Sequence, residues 1–194
     1  MYRILPLLGD AGLGILSIVF LSHWYSVSNM YAFLLLPLAF APDLDAIVEL
    51  RRRGKVAASA ENPSDHREVL HKPILWMLVT GAWWYFGGFY GAVAFALVTM
   101  HFLHDSVLTG WGVPWLAPFL KVRIKFFASE ANQESLAQKD WIRTWGPEEL
   151  QKAIVAHGNE NWIRDLYLRP TVVSIVEYGV FGLSLIALLW HLLA

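Results

Sequence analysis

Four apolar runs constrain this chain more than anything else in it: residues 4–22, 31–41, 73–98 and 171–193. A helix needs roughly 20 mostly apolar residues to cross the hydrocarbon core of a bilayer. The third run, with its flanks, is nearer 30, and Gly87-Gly88 and Gly91 interrupt it. Glycines inside a helical pattern mark a break, so this run predicts two helices, the second continuing through His101 to Val107. The chain is therefore expected to be all-α, a multi-pass membrane helical bundle of about five transmembrane helices.

Composition and charge agree with that expectation. Only 16% of the residues are charged, 56% are hydrophobic and the mean hydropathy is +0.44, whereas a soluble domain carries about a quarter charged residues. With the N-terminus inside and five spans, all 15 Lys and Arg residues fall on the inner side, as the positive-inside tendency requires. A single long third helix would put Arg51 to Arg53 opposite Lys121 and Lys125. The expected location is thus the cell (inner) membrane, with the N-terminus cytoplasmic. The N-terminus lacks a small-residue cleavage pattern and reads as a retained anchor rather than a signal peptide. A net charge of −1 gives no reason to expect nucleic acid as a partner. Membrane lipid is the expected surrounding.

Residues 121–169 differ in kind, being polar and charged with Trp141, Trp145 and Trp162 interspersed. Gly146-Pro147-Glu148-Glu149 predicts a helix start, with proline in the first turn and acids at the positive end of the dipole. Residues 121–170 are expected to form an amphipathic cytoplasmic insert lying on the membrane. Residues 1–120 form the membrane-embedded core, and 171–194 a C-terminal helix that completes it.

Within this apolar frame, carboxylates and imidazoles recur at the ends of the spans. Asp10 lies about two turns into the first helix and Glu177 about two turns into the last. Asp43 and Asp45 end the second helix, His66 and His71 precede the third, and His101, His104 and Asp105 close the fourth. On the five-helix topology all of them meet at the inner face. Each has a plainer alternative: Asp43 and Asp45 as a helix end facing water, His66 and His71 as loop residues, His101 and Asp105 as a structural hydrogen-bonded pair. Asp10 and Glu177 resist that treatment. A carboxylate at the centre of a membrane helix costs roughly 2.5–3.5 kcal/mol, less nearer the interface.

With no cysteine in the chain, disulfides and thiolate sites are excluded and imidazole and oxygen ligands remain. Such a set suits zinc, manganese or iron. Zinc is favoured, and more than four candidate ligands suggest two or more divalent ions. Asp10, Asp43, Asp45, His66, His71, His101, Asp105 and Glu177 are the candidate ligands. Paired ions are a common device for phosphoester hydrolysis. Arg67, between candidate ligands, offers a planar fork for a phosphate, or serves as a positive-inside anchor. His104, on a different face from His101, is the candidate for proton transfer or for orienting a ligand.

Taken in order, Pro42-Asp43-Leu44-Asp45, His66-Arg67-Glu68-Val69-Leu70-His71 and His101-Phe102-Leu103-His104-Asp105, then Thr109 and Gly112-Val113-Pro114 with Pro118, resemble the YdjM-type family of membrane-bound metal-dependent hydrolases. The resemblance covers about residues 5–120. Gly9-Asp10 stands where that family has Gly-His, Leu70 replaces its Thr, and the step from Asp105 to Thr109 is one residue longer. The family is also distantly similar to zinc-dependent phospholipase C and its nuclease relatives, and that similarity is what implies phosphoesters. The expected function is an integral-membrane, metal-dependent hydrolase of phosphoesters, lipid included, at the cytoplasmic face. The alternative is a metal-ion transporter or sensor. A purely structural protein docking partners through the insert would leave the ligand cluster without a use.

Overall fold

The computed structural model describes residues 5–27, 30–54, 56–63, 70–107, 110–128 and 140–193. Its elements are α1 (Leu7–Trp24), a 3-10 helix (Met30–Asp43), α2 (Leu44–Arg53), α3 (Pro73–Val107), β1 (Arg123–Ala128), β2 (Asp140–Trp145), α4 (Pro147–His157), α5 (Trp162–Tyr167) and α6 (Val172–Leu193). Four segments, Leu7–Trp24, Met30–Arg53, Pro73–Val107 and Val172–Leu193, are long and apolar enough to cross a membrane. The mostly helical bundle expected from the apolar runs is the fold observed.

Glycines set how closely the bundle packs. A Cβ on Gly12 would lie 2.9 Å from the Phe181 Cα of α6, and one on Gly14 would lie 2.6 Å from Leu36 Cδ1 of the 3-10 helix. Small residues of this kind let helix backbones approach where lipid supplies no hydrophobic drive. Ile18, Ala32, Ala39, Phe89, Val93 and Leu97 form the core between α1, the 3-10 helix and α3. Large apolar side chains of α6, among them Leu183, Ile186 and Leu189, point outward, as lipid-facing positions do.

The second apolar run looked short for a span. The structure draws the run and its flanks, the 14 residues of Met30–Asp43 with Pro37 and Pro42 inside, into a 3-10 helix. At 2.0 Å per residue this reaches about 28 Å, against about 21 Å for an α-helix of the same length.

Gly88 has φ 55 and ψ −125, a non-helical conformation inside α3, and the chain reverses there. A Cβ on Gly81 would lie 3.8 Å from the Phe95 ring, and one on Gly91 would stand 2.4 Å from the Trp84 Cα. Those pairs are 14 and 7 residues apart, roughly 21 and 10 Å along a straight helix. The glycine break predicted from sequence is therefore a helical hairpin, with arms 73–87 and 89–107. Its turn sits at the far end of α1, where Trp84 Nε1 donates to the Tyr25 hydroxyl at 3.0 Å.

The insert is more structured than an amphipathic surface helix. β1 and β2 pair antiparallel with Arg123 opposite Trp145, and β1 is bridged to Val113. This small sheet was not expected. The helix start at Pro147 was, and Glu149 accepts a hydrogen bond there from the Gly146 backbone at 3.0 Å. The insert also grips the loop after α2: Trp162 Nε1 donates to the Val56 carbonyl at 2.8 Å, and Ser59 donates to Glu160 at 2.8 Å.

Candidate metal centre

The turn at Gly88 sends both ends of α3 to the same end of the bundle. His71 just precedes its first turn, and His101 and Asp105, four apart on one helix face, lie in its last two turns. The 3-10 helix ends there too, at Asp43. Asp43, His71, His101 and Asp105 each offer one ligand atom, and all four atoms lie within 4.8 Å of one another.

The separations that involve either ring are tighter. His71 Nε2 is 3.2 Å from Asp105 Oδ2 and 3.3 Å from Asp43 Oδ1. His101 Nε2 is 3.5 Å from His71 Nε2, 3.7 Å from Asp105 Oδ2 and 3.9 Å from Asp43 Oδ1. A tetrahedral zinc ion with ligands at about 2.0–2.1 Å holds them about 3.3 Å apart. The two imidazoles and two carboxylates thus fit one such ion in donor type, with separations about the two rings of 3.2–3.9 Å, at and somewhat above that value. His71, His101 and Asp105 are buried, and Asp43 keeps the most exposure of the four, so approach is from its side.

Each ring is held from behind. Asp45 Oδ2 stands 3.6 Å from His71 Nδ1 and accepts from the Leu70 backbone N–H at 3.2 Å. Trp76 Nε1 donates to the Leu70 carbonyl at 2.8 Å, and the His71 ring meets Phe102 edge-on. Desolvation lowers the proton affinity of His71, but hydrogen bonds to Asp105, Asp43 and Asp45 outweigh it and raise the pKa from 6.5 to about 10. Asp105 and Asp43, two of those carboxylates, are also members of the four-residue group.

Behind His101 runs a second, fully buried set. Asp10 Oδ2 is 3.5 Å from His101 Nδ1, and Asp10 Oδ1 is 2.9 Å from His104 Nδ1. His104 Nε2 is 3.4 Å from Glu177 Oε1, which accepts from the Tyr167 hydroxyl at 2.7 Å. Gly9 makes room for this arrangement. A Cβ there would come within 2.8 Å of the His104 ring and 3.1 Å of the Glu177 carboxyl carbon.

Of the ligands expected from sequence, Asp43, His71, His101 and Asp105 come together in the four-atom group. Asp45 stands at the far nitrogen of His71, Asp10 at the far nitrogen of His101, and Glu177 one ring further back, at His104. His66 and Arg67 lie outside the described residues. One such ligand group is found among the described residues. Tyr167, in the insert, was not singled out from the sequence; its only signal was that a buried Glu177 needs a donor. The family model described as YdjM inner membrane protein matches residues 6–192. No curated protein and no solved structure matches the chain.

Proposed function

The chain belongs to the YdjM inner membrane protein family, and on that premise we propose that it is an integral-membrane, metal-dependent hydrolase acting on phosphoesters at the cytoplasmic membrane face. The observation that carries this is the convergence of Asp43, His71, His101 and Asp105, whose ligand atoms lie close enough together to hold one divalent ion. Zinc is the favoured ion and manganese or iron the alternatives, since a mixed imidazole and carboxylate set without thiolate is one that all three accept.

A divalent ion held here with one position left open to water, beyond the four side chains or in place of one of them, would supply a nucleophile at neutral pH and offset negative charge on a phosphoryl group. That explains how hydrolysis proceeds without a dedicated Ser or Cys. The protein's own part is to orient the two imidazoles, through Asp45 and Asp10, and to keep the centre dry on every side but that of Asp43. Arg67, close in sequence to His71, supplies a planar fork for a phosphate. Exposed Leu116, Phe119 and Leu120 follow a segment tied to the end of α3, where Trp115 Nε1 donates to Ser106 at 2.9 Å. Apolar groups there suit a site that meets lipid headgroups.

Transport is the weaker reading, since Asp10 and Glu177 face His104 rather than an open path. The test is zinc-loaded protein in vesicles, presented with phosphodiesters, phosphomonoesters and phospholipids. Turnover should disappear with a chelator, return with zinc, and fall in Arg67→Lys, which keeps charge but loses the fork. No hydrolysis across that panel would overturn the enzyme reading and leave metal handling in its place.

A further inference from the structure

The bundle carries more buried ionisable groups than one ion needs. Asp10, His104 and Glu177 are each at most 8% exposed, on three different helices, and burying them costs several kcal/mol unless each is matched. Their spatial order is informative. They do not surround the four ligand atoms but form a single file leading away from them, His101–Asp10–His104–Glu177–Tyr167, with separations of 3.5, 2.9, 3.4 and 2.7 Å.

Geometry assigns a task to each link. His101 turns Nε2 toward the ligand group, so its other nitrogen faces Asp10. A carboxylate at that position fixes which nitrogen carries the hydrogen and how the ring is turned. Asp10 has its second oxygen on His104, whose own far nitrogen faces Glu177. Tyr167 completes the file from the insert, with its carbonyl accepting the Tyr178 hydroxyl at 2.7 Å and its ring against Trp162. Trp162 is the residue that holds the loop after α2.

We infer that Asp10, His104, Glu177 and Tyr167 are positioning residues, a buried file that sets the orientation of His101 and links metal affinity to the seating of the cytoplasmic insert on α6. This rests on the metal-centre reading of the four-residue group, but not on hydrolysis or on any substrate. It also separates two roles that sequence spacing merges: Asp10 and Glu177 support a ligand rather than serve as ligands.

The experiment uses the full-length protein in detergent, titrated with Co²⁺ and then with Zn²⁺ against a chromophoric chelator. Co²⁺ absorption reports the ligand set, and the competition reports affinity. The parent should bind one ion. Asp10→Asn should leave the Co²⁺ spectrum unchanged in shape and weaken binding about 10–100-fold, and Asp10→Ala should weaken it further, because Asn still offers an oxygen to the His101 ring. A changed spectrum in Asp10→Asn would make Asp10 a ligand and overturn the assignment, and so would unchanged affinity. Tyr167→Phe keeps the aromatic packing and removes only the hydroxyl. It should weaken binding several-fold without altering the spectrum, and parental affinity in this variant would cut the insert out of the file. A parent that binds neither ion would instead overturn the metal centre beneath the inference, and a parent that binds but hydrolyses nothing would leave the inference standing.

Discussion

Gly9→Ala adds one methyl group at the point where α1 meets the buried file. The new Cβ would sit 2.8 Å from both Cε1 and Nε2 of His104, where ordinary contact begins at 3.4 Å, so the ring must retreat by about 0.6 Å. It has nowhere free to go, because Asp10 holds it at 2.9 Å on one side and Glu177 faces it at 3.4 Å on the other. Lengthening the bond to Asp10 by that amount forfeits a charge-assisted hydrogen bond, worth about 1.5–3 kcal/mol. Helix propensity returns about 0.5–1 kcal/mol on replacing glycine by alanine. The net loss should be about 0.5–2.5 kcal/mol, accompanied by zinc binding about tenfold weaker as Asp10 loses its anchor on His104 and with it its hold on the His101 ring. Thermal unfolding in detergent and chelator competition read the two quantities. Gly182→Ala is the control, since a Cβ there meets nothing within 4 Å, and it should be neutral or slightly stabilising. A Gly9→Ala protein as stable and as tight-binding as the parent would refute the claim that this glycine is kept for the His104 ring.

Three further outcomes follow from the same geometry. Gly91→Ala places a Cβ 2.4 Å from the Trp84 backbone, which cannot rotate aside, so the hairpin arms must part at a cost toward the upper end of about 1–3 kcal/mol; a parental melting temperature would contradict the hairpin. Because the metal-free His71 ring is protonated until pH rises toward about 10, a bound ion must displace that proton; apparent zinc affinity should rise about tenfold per pH unit between pH 6 and 8, and a flat profile would remove His71 from the ligand set. Single cysteines introduced into this cysteine-free chain at exposed Ala60 and Glu148 should both be labelled from the cytoplasmic side; labelling from opposite sides would contradict the five-span topology.

What was legible in the sequence is what one-dimensional spacing encodes. Apolar runs gave the crossing segments, Gly87-Gly88 gave the reversal, and the four-residue step from His101 to Asp105 placed both on one face. What was not legible depends on which side of a ring or turn a neighbour occupies. Asp43 and Asp45 look equivalent in Pro-Asp-Leu-Asp, yet two residues along a helix are about 200° apart. One therefore meets His71 Nε2 at 3.3 Å and the other faces Nδ1 at 3.6 Å. Asp10 and Glu177 were legible as buried carboxylates in need of partners, but an imidazole has two nitrogens, and spacing does not say which of them a carboxylate faces. The 3-10 form of the second span and the β1–β2 sheet escaped for another reason. The first contains two prolines, which remove backbone donors without fixing which helix type results, and the second is set by pairing between strands separated in sequence.

The central claim is that Asp43, His71, His101 and Asp105 hold one divalent ion, and elemental analysis of the purified full-length protein beside His101→Ala tests it most directly. The parent should carry close to one zinc per chain after zinc loading and removal of excess, and the variant, still inserted in the membrane, should carry almost none. A parent without bound metal, or a variant with the parent's stoichiometry, would contradict the claim.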